Sequence, residues 1–523
     1  MRELRRHLLL LTGICVPLYF FGLTTHGLMN TQEALRAMPA REMEARGDWL
    51  LPTKHGEPYI AKPPLIYWMQ LALGALRPGP VGEFELRLTV AVAGLAGVIG
   101  TYLLARRLFH NPHDERFGPR AALWSALSLA VGVLYVRSSR IGEIDILLAP
   151  FTVATVGALH AVTQRLGSGG TVPWGMACAG ALAAAGAGLS KGPPALGIVA
   201  IASLLPALIR ALHTDGARRR GLLRGVGIGT AAIALGAAPL VLWLTAVRER
   251  IGSDRTAQLL QHQVEDNLRW FDPESPLNNL GFLAYGLLPM GAAAAACMVW
   301  VARERPRLSI GGITALTWLI AGYAMFSTMG KGVARYLTPL WPAMALLAGM
   351  WIATFLSDRR VGVRAKEKLR IAAVCAVCAA AAAQAWWYGD GRERFAAEQS
   401  PRAFFAALRA QVLPAAMGCL YFDTPLLDYY AGVPVKGYLR RGRTLEELAR
   451  DVEASPGPFV LLMWEQTEQI VERHGSALDE LAKAGLRFER VEIPAEARYH
   501  PREDAAPMTA GIVSRAAGGQ TER

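Results

Sequence analysis

Residues 84–105 read FELRLTVAVAGLAGVIGTYLLA, and Arg106 and Arg107 follow at once. A helix needs about 20 mostly apolar residues to cross the hydrocarbon core of a bilayer, and this stretch supplies them. Outward from it, ten further runs of the same kind occupy residues 8–25, 119–137, 144–163, 172–190, 194–211, 223–246, 279–301, 309–327, 336–356 and 370–388. A polytopic α-helical membrane protein with about eleven or more transmembrane helices is expected. The first run follows Arg2, Arg5 and Arg6, as in a signal peptide, but lacks a clear small-x-small cleavage site. It is read as a retained helix.

The composition agrees with that frame. Of 523 residues, 52% are hydrophobic and 19% charged, and the mean hydropathy is +0.25. Soluble domains run about 45–50% apolar and about 25% charged. Disordered chains, collagens and secreted disulfide scaffolds are excluded. Five of the six cysteines (Cys15, Cys178, Cys297, Cys375 and Cys378) lie in apolar runs, and only Cys419 does not. They read as small packing residues, the Cys375–Cys378 CxxC included, and indicate no metal or redox scaffold.

The net charge of +13 has a topological explanation. With the N-terminus in the cytoplasm and sides alternating, the cytoplasmic loops are 106–120, the turn at Arg165, 210–224, 303–307 and 359–370. They collect Arg218, Arg219, Arg220, Arg359, Arg360, Arg364, Lys366 and Lys368. This is the positive-inside pattern. Such charges also meet anionic membrane lipid, and no nucleic-acid partner is expected.

The same alternation puts the C-terminus outside. The domain boundary is expected at the composition shift near 389. Residues 1–388 form the membrane domain, with outer loops at 25–83 and 248–278. Residues 389–523 form a small α/β domain, with helix-like stretches at 402–411, 444–454 and 466–484 and strand-like runs at 417–422, 458–463 and 488–493. No short-period repeat is visible.

Polar residues gather at the outer helix ends. NTQEALRAMPAREM (30–43) reads as an amphipathic surface helix carrying Glu33, Arg36, Arg41 and Glu42; such a helix also suits the headgroup layer. In GDWLLPTKHGEPYIAKPPLIYW (47–68), Lys62 precedes two prolines at the head of an apolar stretch. It suits either a lipid phosphate or simple snorkelling. In RSSRIGEIDILLAPF (137–151), Arg140, Glu143 and Asp145 straddle a helix start. An unpaired carboxylate beginning an apolar run is costly, so Asp145 reads as a helix cap or as a wall of a reaction cavity. LSKGPPALG places Lys191 at an outer turn, and KGVARYLTPLWP places Lys331, Arg335 and Tyr336 at another. Together these cations suggest a phosphate-containing ligand, although turn solvation would explain any one of them.

In their order these signals resemble the polytopic GT-C glycosyltransferases. The likeness is to the bacterial branch with the lipid A 4-amino-4-deoxy-L-arabinose transferase and protein mannosyltransferase-like enzymes. It rests on Gln32-Glu33; Arg41-Glu42-Met43 with Gly47-Asp48-Trp49; Tyr59, Lys62, Pro63, Tyr67 and Trp68; Arg140 with Asp145; Lys191-Gly192-Pro193; and the stretch from Arg335 to Pro342. It covers the chain to about 388. The resemblance implies a bacterial inner-membrane enzyme that takes a sugar from undecaprenyl phosphate at the periplasmic face, usually with inversion. The acceptor would be lipid A, another glycolipid or a protein.

Carried over, the donor phosphate falls to Lys62 and Tyr336, with Tyr59 and Arg335 nearby, Lys191 beside them, and Arg255 or Arg269 from the second outer loop. Catalysis falls to Glu33 and Asp145, which orient the acceptor and take its proton, while the cations stabilise charge on the departing phosphate. Two departures stand out. Gln32 occupies a position where the family commonly has aspartate. Glu33 takes over, or Asp145 acts alone, or the acceptor is already anionic, or activity is weakened. Ala61 replaces an acidic residue of the lipid A branch, which leaves its metal contact, and hence a divalent ion as cofactor, open. Two other readings remain from sequence: a transporter or flippase for a lipid-linked substrate, and a non-catalytic scaffold of the same fold. A transporter would show internal repeats and broken midplane helices.

Overall fold

The computed structural model describes all residues except 1, 268–271, 305–307, 330–331, 389–399, 421–424, 440–442, 466–476, 501–506 and 516–523. The chain forms two compact units. One comprises residues 1–23 and 39–387, the other residues 24–38 and 388–523.

The first unit is helical. It contains α1 (Arg2–Phe20), the end of α2 (Thr31–Arg46), α3 (Leu65–Gly74), α4 (Glu83–Leu108), α5 (Phe117–Ala130), α6 (Val133–Ser138), α7 (Leu148–Gly167) and α8 (Trp174–Lys191). It continues with α9 (Pro193–Leu212), α10 (Gly216–Ile251), α11 (Ser253–Asn267), α12 (Ser275–Gly286), α13 (Gly291–Glu304), α14 (Ile310–Thr328), α15 (Trp341–Ser357) and α16 (Val363–Trp386). Every expected span overlaps helix. Among the described residues seven helices are long and apolar enough to cross a membrane, and the pair α12–α13 makes an eighth only when joined across a 116° bend. Two expected spans are thus not single rods. Residues 119–137 break at Gly132, whose backbone is extended, and residues 279–301 break between α12 and α13.

Small residues let the helices touch. A Cβ built on Gly349 of α15 would come within 2.6 Å of the Ser125 amide of α5, so only glycine permits that approach. Several buried hydroxyls are satisfied locally: Ser125 Oγ donates to Ala121 O at 2.8 Å and Thr152 Oγ1 to Leu148 O at 2.7 Å, the usual way an apolar helix hosts serine and threonine. A short hairpin, β1 (Thr53–Lys54) with β2 (Glu57–Pro58), precedes α3.

The second unit is α/β. It holds α17 (Arg402–Gln411), β3 (Ala416–Leu420), α18 (Pro425–Ala431), β4 (Val435–Tyr438), α19 (Leu445–Ala454), β5 (Phe459–Trp464), α20 (Ala477–Lys483), β6 (Leu486–Val491) and β7 (Met508–Arg515). The sheet order is β4-β3-β5-β7-β6. β3 runs parallel to β4 and β5, whereas β7 is antiparallel to β5 and β6. Parallel neighbours need helical crossovers, and α18 and α19 supply them. Leu420, Leu448, Phe459, Leu461, Leu481 and Val513 form the core beneath the sheet. The expected helix at 402–411 and strands at 417–422, 458–463 and 488–493 all meet elements here. The expected helix at 466–484 is described only from Ala477 to Lys483, because residues 466–476 lie outside the described set. β4 and β7 were not anticipated.

Candidate active site

Asp145 sits in a 3-10 turn, Ile144–Leu147, that feeds directly into α7. The five residues between α6 and this turn are fixed on three sides. A Cβ at Gly142 would come within 2.5 Å of Leu86 Cγ on α4, so the chain lies flush against that helix. Arg137 grips Glu143 through two parallel hydrogen bonds of 3.2 and 3.1 Å. Arg140 donates to Leu18 O at 2.7 Å and Phe21 O at 2.6 Å. Those carbonyls end α1, where the helix dipole favours a cation. Arg140 therefore anchors the loop to α1, and the bidentate Arg137–Glu143 fork sets its turn. Neither function was visible in the sequence. The only signal was two arginines preceding a glutamate in a segment that must turn.

The Asp145 carboxylate is ion-paired and hydrogen-bonded to the Lys191 ammonium. Its second oxygen lies 4.0 Å from Arg335 Nε. The Asp145 side chain is 4% exposed, Lys191 11% and Arg335 26%. A carboxylate this deep is expensive unless paired. Lys191 is the last residue of α8, and Gly192 (φ +75°) turns the chain so that Pro193 can begin α9. Arg335 and Tyr336 come from a second 3-10 segment, Ala334–Leu340, that leads into α15. The Tyr336 ring lies 4.2 Å from Lys191 Nζ and 5.3 Å from Arg335 Cζ, close enough for both cations to feel its negative face. One carboxylate against two cations leaves a local excess of positive charge, open to solvent on the Arg335 side.

Lys62 and Tyr59 are half-buried on the segment after the hairpin. A Cβ on Gly192 would meet Pro63 Cγ at 3.8 Å, so the Lys62-Pro63 backbone runs beside the turn that follows Lys191. This segment is organised by Glu42, whose carboxylate accepts from Thr53 Oγ1, from His55 N at 2.6 Å and from Gly56 N at 3.2 Å. Arg46 also bonds Thr53 Oγ1 and reaches Leu51 O at 2.7 Å. Asp48 accepts the Leu50 amide at 2.9 Å, and Trp68 and Trp243 donate to Trp49 O and Leu50 O at 2.6 and 2.9 Å. The REM and GDW residues thus build the loop that presents Tyr59 and Lys62.

The other sequence candidates lie elsewhere. Arg255 pairs with Glu57 at 3.2 Å, with both side chains about half exposed or more (49% and 74%); it joins α11 to the hairpin tip. Arg269 and Lys331 fall outside the described residues. Glu33 belongs to the second unit. It is fully buried, its Oε2 accepts the Met29 amide at 3.0 Å, and its own amide donates to Asn30 Oδ1 at 3.0 Å. This is close to a capping box at the start of α2. Gln32 accepts from Arg36 Nη2 at 3.1 Å.

Among the described residues no group of three or more histidine, cysteine, aspartate or glutamate side chains is placed to hold a metal ion.

Comparison with known proteins bears on this arrangement. Residues 61–243 match the family described as dolichyl-phosphate-mannose-protein mannosyltransferase. The undecaprenyl phosphate-alpha-4-amino-4-deoxy-L-arabinose arabinosyl transferase of Pseudomonas aeruginosa (strain ATCC 15692) is 30% identical over 347 residues, 63% of this chain and 57% of the relative. The protein of the same description from strain LESB58 is 29% identical over 347 residues, again 63% and 57%. The chain therefore spans somewhat under three fifths of the curated relatives it matches. In three dimensions it resembles ArnT from Cupriavidus metallidurans bound to undecaprenyl phosphate, with TM-score 0.71, 19% identity and coverage of 98% and 99% of the two chains. It also resembles the Archaeoglobus fulgidus oligosaccharyltransferase, with TM-score 0.52, 14% identity and coverage of 89% and 70%. The polytopic membrane fold with a small C-terminal sheet domain, and the resemblance to ArnT-like GT-C glycosyltransferases, stand on these likenesses.

Proposed function

We propose that this chain, with the fold of the ArnT structure and sequence likeness to arabinosyl transferases, is an inner-membrane glycosyltransferase. It moves one sugar from a polyprenyl-phosphate carrier, most simply undecaprenyl phosphate, to a periplasmic acceptor such as lipid A, another glycolipid or a protein. The carrying observation is the cluster of Asp145, Lys191, Arg335 and Tyr336, drawn from three separate elements into one partly open, net-positive site. In the reaction the bond between the anomeric carbon and the phosphate oxygen breaks, and the electron pair leaves with the lipid phosphate. An acceptor oxygen forms the new bond to that carbon. Lys62, Arg335 and Tyr336, with Tyr59 and Lys191, face the departing phosphate, whose growing charge preplaced cations stabilise. Asp145 receives the proton of a hydroxyl acceptor.

The test supplies membranes containing the chain with radiolabelled polyprenyl-phosphate sugar. Asp145→Asn preserves shape but not basicity, and transfer is expected to fall by about 10²–10⁴-fold. Unchanged transfer in that variant overturns the assignment. Lipid movement without transfer points to a transporter instead. A strain lacking the chain identifies the acceptor by the mass lost from its envelope glycolipids or proteins.

A further inference from the structure

The second unit carries a polar cleft built from residues that the proposed reaction does not use. The chain reads KGYLRRGR over residues 436–443, four cations in eight residues; Arg440 and Arg441 fall outside the described set. The cleft lies between the edge strand β4 and α19 and holds about 290 Å³. Its lining is Lys436, Arg443, Glu447, Arg450 and Asp451. Glu447, Arg450 and Asp451 follow one another at helical spacing, so they share one face of α19.

Both carboxylates of the cleft are already engaged. Asp451 accepts from Lys436 Nζ at 2.9 Å and from Tyr438 Oη. Tyr438 is fully buried among Leu448 and Phe459, so this wall is anchored in the core. Glu447 closes a capping box: its Oε2 accepts the Thr444 amide at 3.2 Å, and its own amide donates to Thr444 Oγ1 at 3.3 Å. The two arginines differ. Both are exposed. Arg443 acts on Asp451 through its charge, but among the described residues neither Arg443 nor Arg450 forms an ion pair. Three cations against two engaged carboxylates leave the cleft net positive, with two guanidinium forks unmatched. Such forks fit carboxylate and phosphate oxygens. A carboxylate has two oxygens and occupies one fork, whereas a phosphate monoester has three terminal oxygens and can meet both. We infer that this cleft binds a phosphate monoester, carried by a lipid headgroup or by a soluble compound, with Arg443 and Arg450 as its main contacts and Lys436 beside them. The inference lies within the second unit and does not depend on sugar transfer.

The test measures amide exchange of the full-length chain in nanodiscs. In pure phosphatidylcholine discs, inorganic phosphate and methyl phosphate should slow exchange in β4 and α19 severalfold, and chloride at equal ionic strength should not. Arg443→Ala and Arg450→Ala should each raise the half-saturating concentration about tenfold or more, while β5 and β7 keep their protection. Lys62→Ala should leave the effect intact, which separates it from phosphate held by the first unit. Protection in discs containing phosphatidic acid, without added phosphate, assigns the lipid headgroup as the source; protection by the soluble probes alone assigns a soluble ligand. Equal protection by chloride, or protection unaltered in both arginine variants, overturns the site, as does absence of protection by every probe.

Discussion

At the scale of single residues, the chemistry turns on how one carboxylate is kept in an apolar environment. Asp145 is buried because Lys191 is there to meet it. Removing one member of such a pair leaves the other uncompensated, which typically costs about 3–5 kcal/mol, whereas removing both is far milder. Lys191→Met is therefore expected to lower thermal stability in detergent more than Lys191→Met combined with Asp145→Asn, and equal losses in the two would refute the pairing. In the proposed reaction Lys62 has a different task. Losing one charged contact to phosphate should raise the donor KM about tenfold or more in Lys62→Ala, with kcat changed less, as initial rates over a donor titration would show. Asp145, Lys191, Arg335 and Tyr336 were each legible as polar residues where an apolar run begins or ends. Their meeting was not, since Lys191 lies 46 positions from Asp145 and nothing in either run specifies the other. Arg140 and Glu42 were legible as motif members only. The structure gives them scaffold bonds, to the end of α1 and to the hairpin.

At the scale of elements, strong periodicity was readable and weak periodicity was not. The helix at 402–411 declares itself through Phe404, Phe405 and Leu408, all buried on one side. β4 is a four-residue edge strand with little apolar character, which sequence patterning cannot separate from a loop. β7 hides for another reason: Gly511 breaks the pattern, and the space it leaves is filled by the Phe488 ring, whose nearest edge carbons a Cβ there would overlap. Such a glycine is a packing device between neighbouring strands. The β4–α19 edge also carries a titratable lock. Burial works to raise Asp451, but the hydrogen bonds from Tyr438 and Lys436 and the charges of Lys436 and Arg443 outweigh it, and the carboxyl is held below its ordinary value. A depressed carboxyl stabilises the fold above its unfolded pKa, about 3.9, and this is lost as pH falls through the folded value. Acidification below about pH 4 should thus loosen β4 and α19, read by amide exchange, and Asp451→Asn should flatten that dependence.

At the scale of the whole molecule, the basic loops make a claim about sidedness. If the positive-inside pattern governs insertion, a reporter fused after residue 400 is active in the periplasm, and one fused within the Arg218–Arg220 loop is active in the cytoplasm. The opposite pair of signals would invert the topology and remove the outer-face site from the proposal. The 116° break between α12 and α13 is the kind of interruption expected of transporters, yet α12 packs on the 3-10 segment carrying Arg335 and Tyr336. Its position beside the charged cluster makes it a support for that segment.

The sequence by itself determined the membrane frame, the existence of a C-terminal α/β domain and which polar side chains stand at the ends of the apolar runs. Hydropathy and turn chemistry are local properties that act over a helix length or less. Only the tertiary structure decided that Asp145, Lys191, Arg335 and Tyr336 share one site, that Arg255 is paired with Glu57, and that residues 24–38 fold with the distant C-terminus. Those outcomes depend on which buried charge or amide finds which partner once the chain has closed on itself, and no neighbouring residue carries that information.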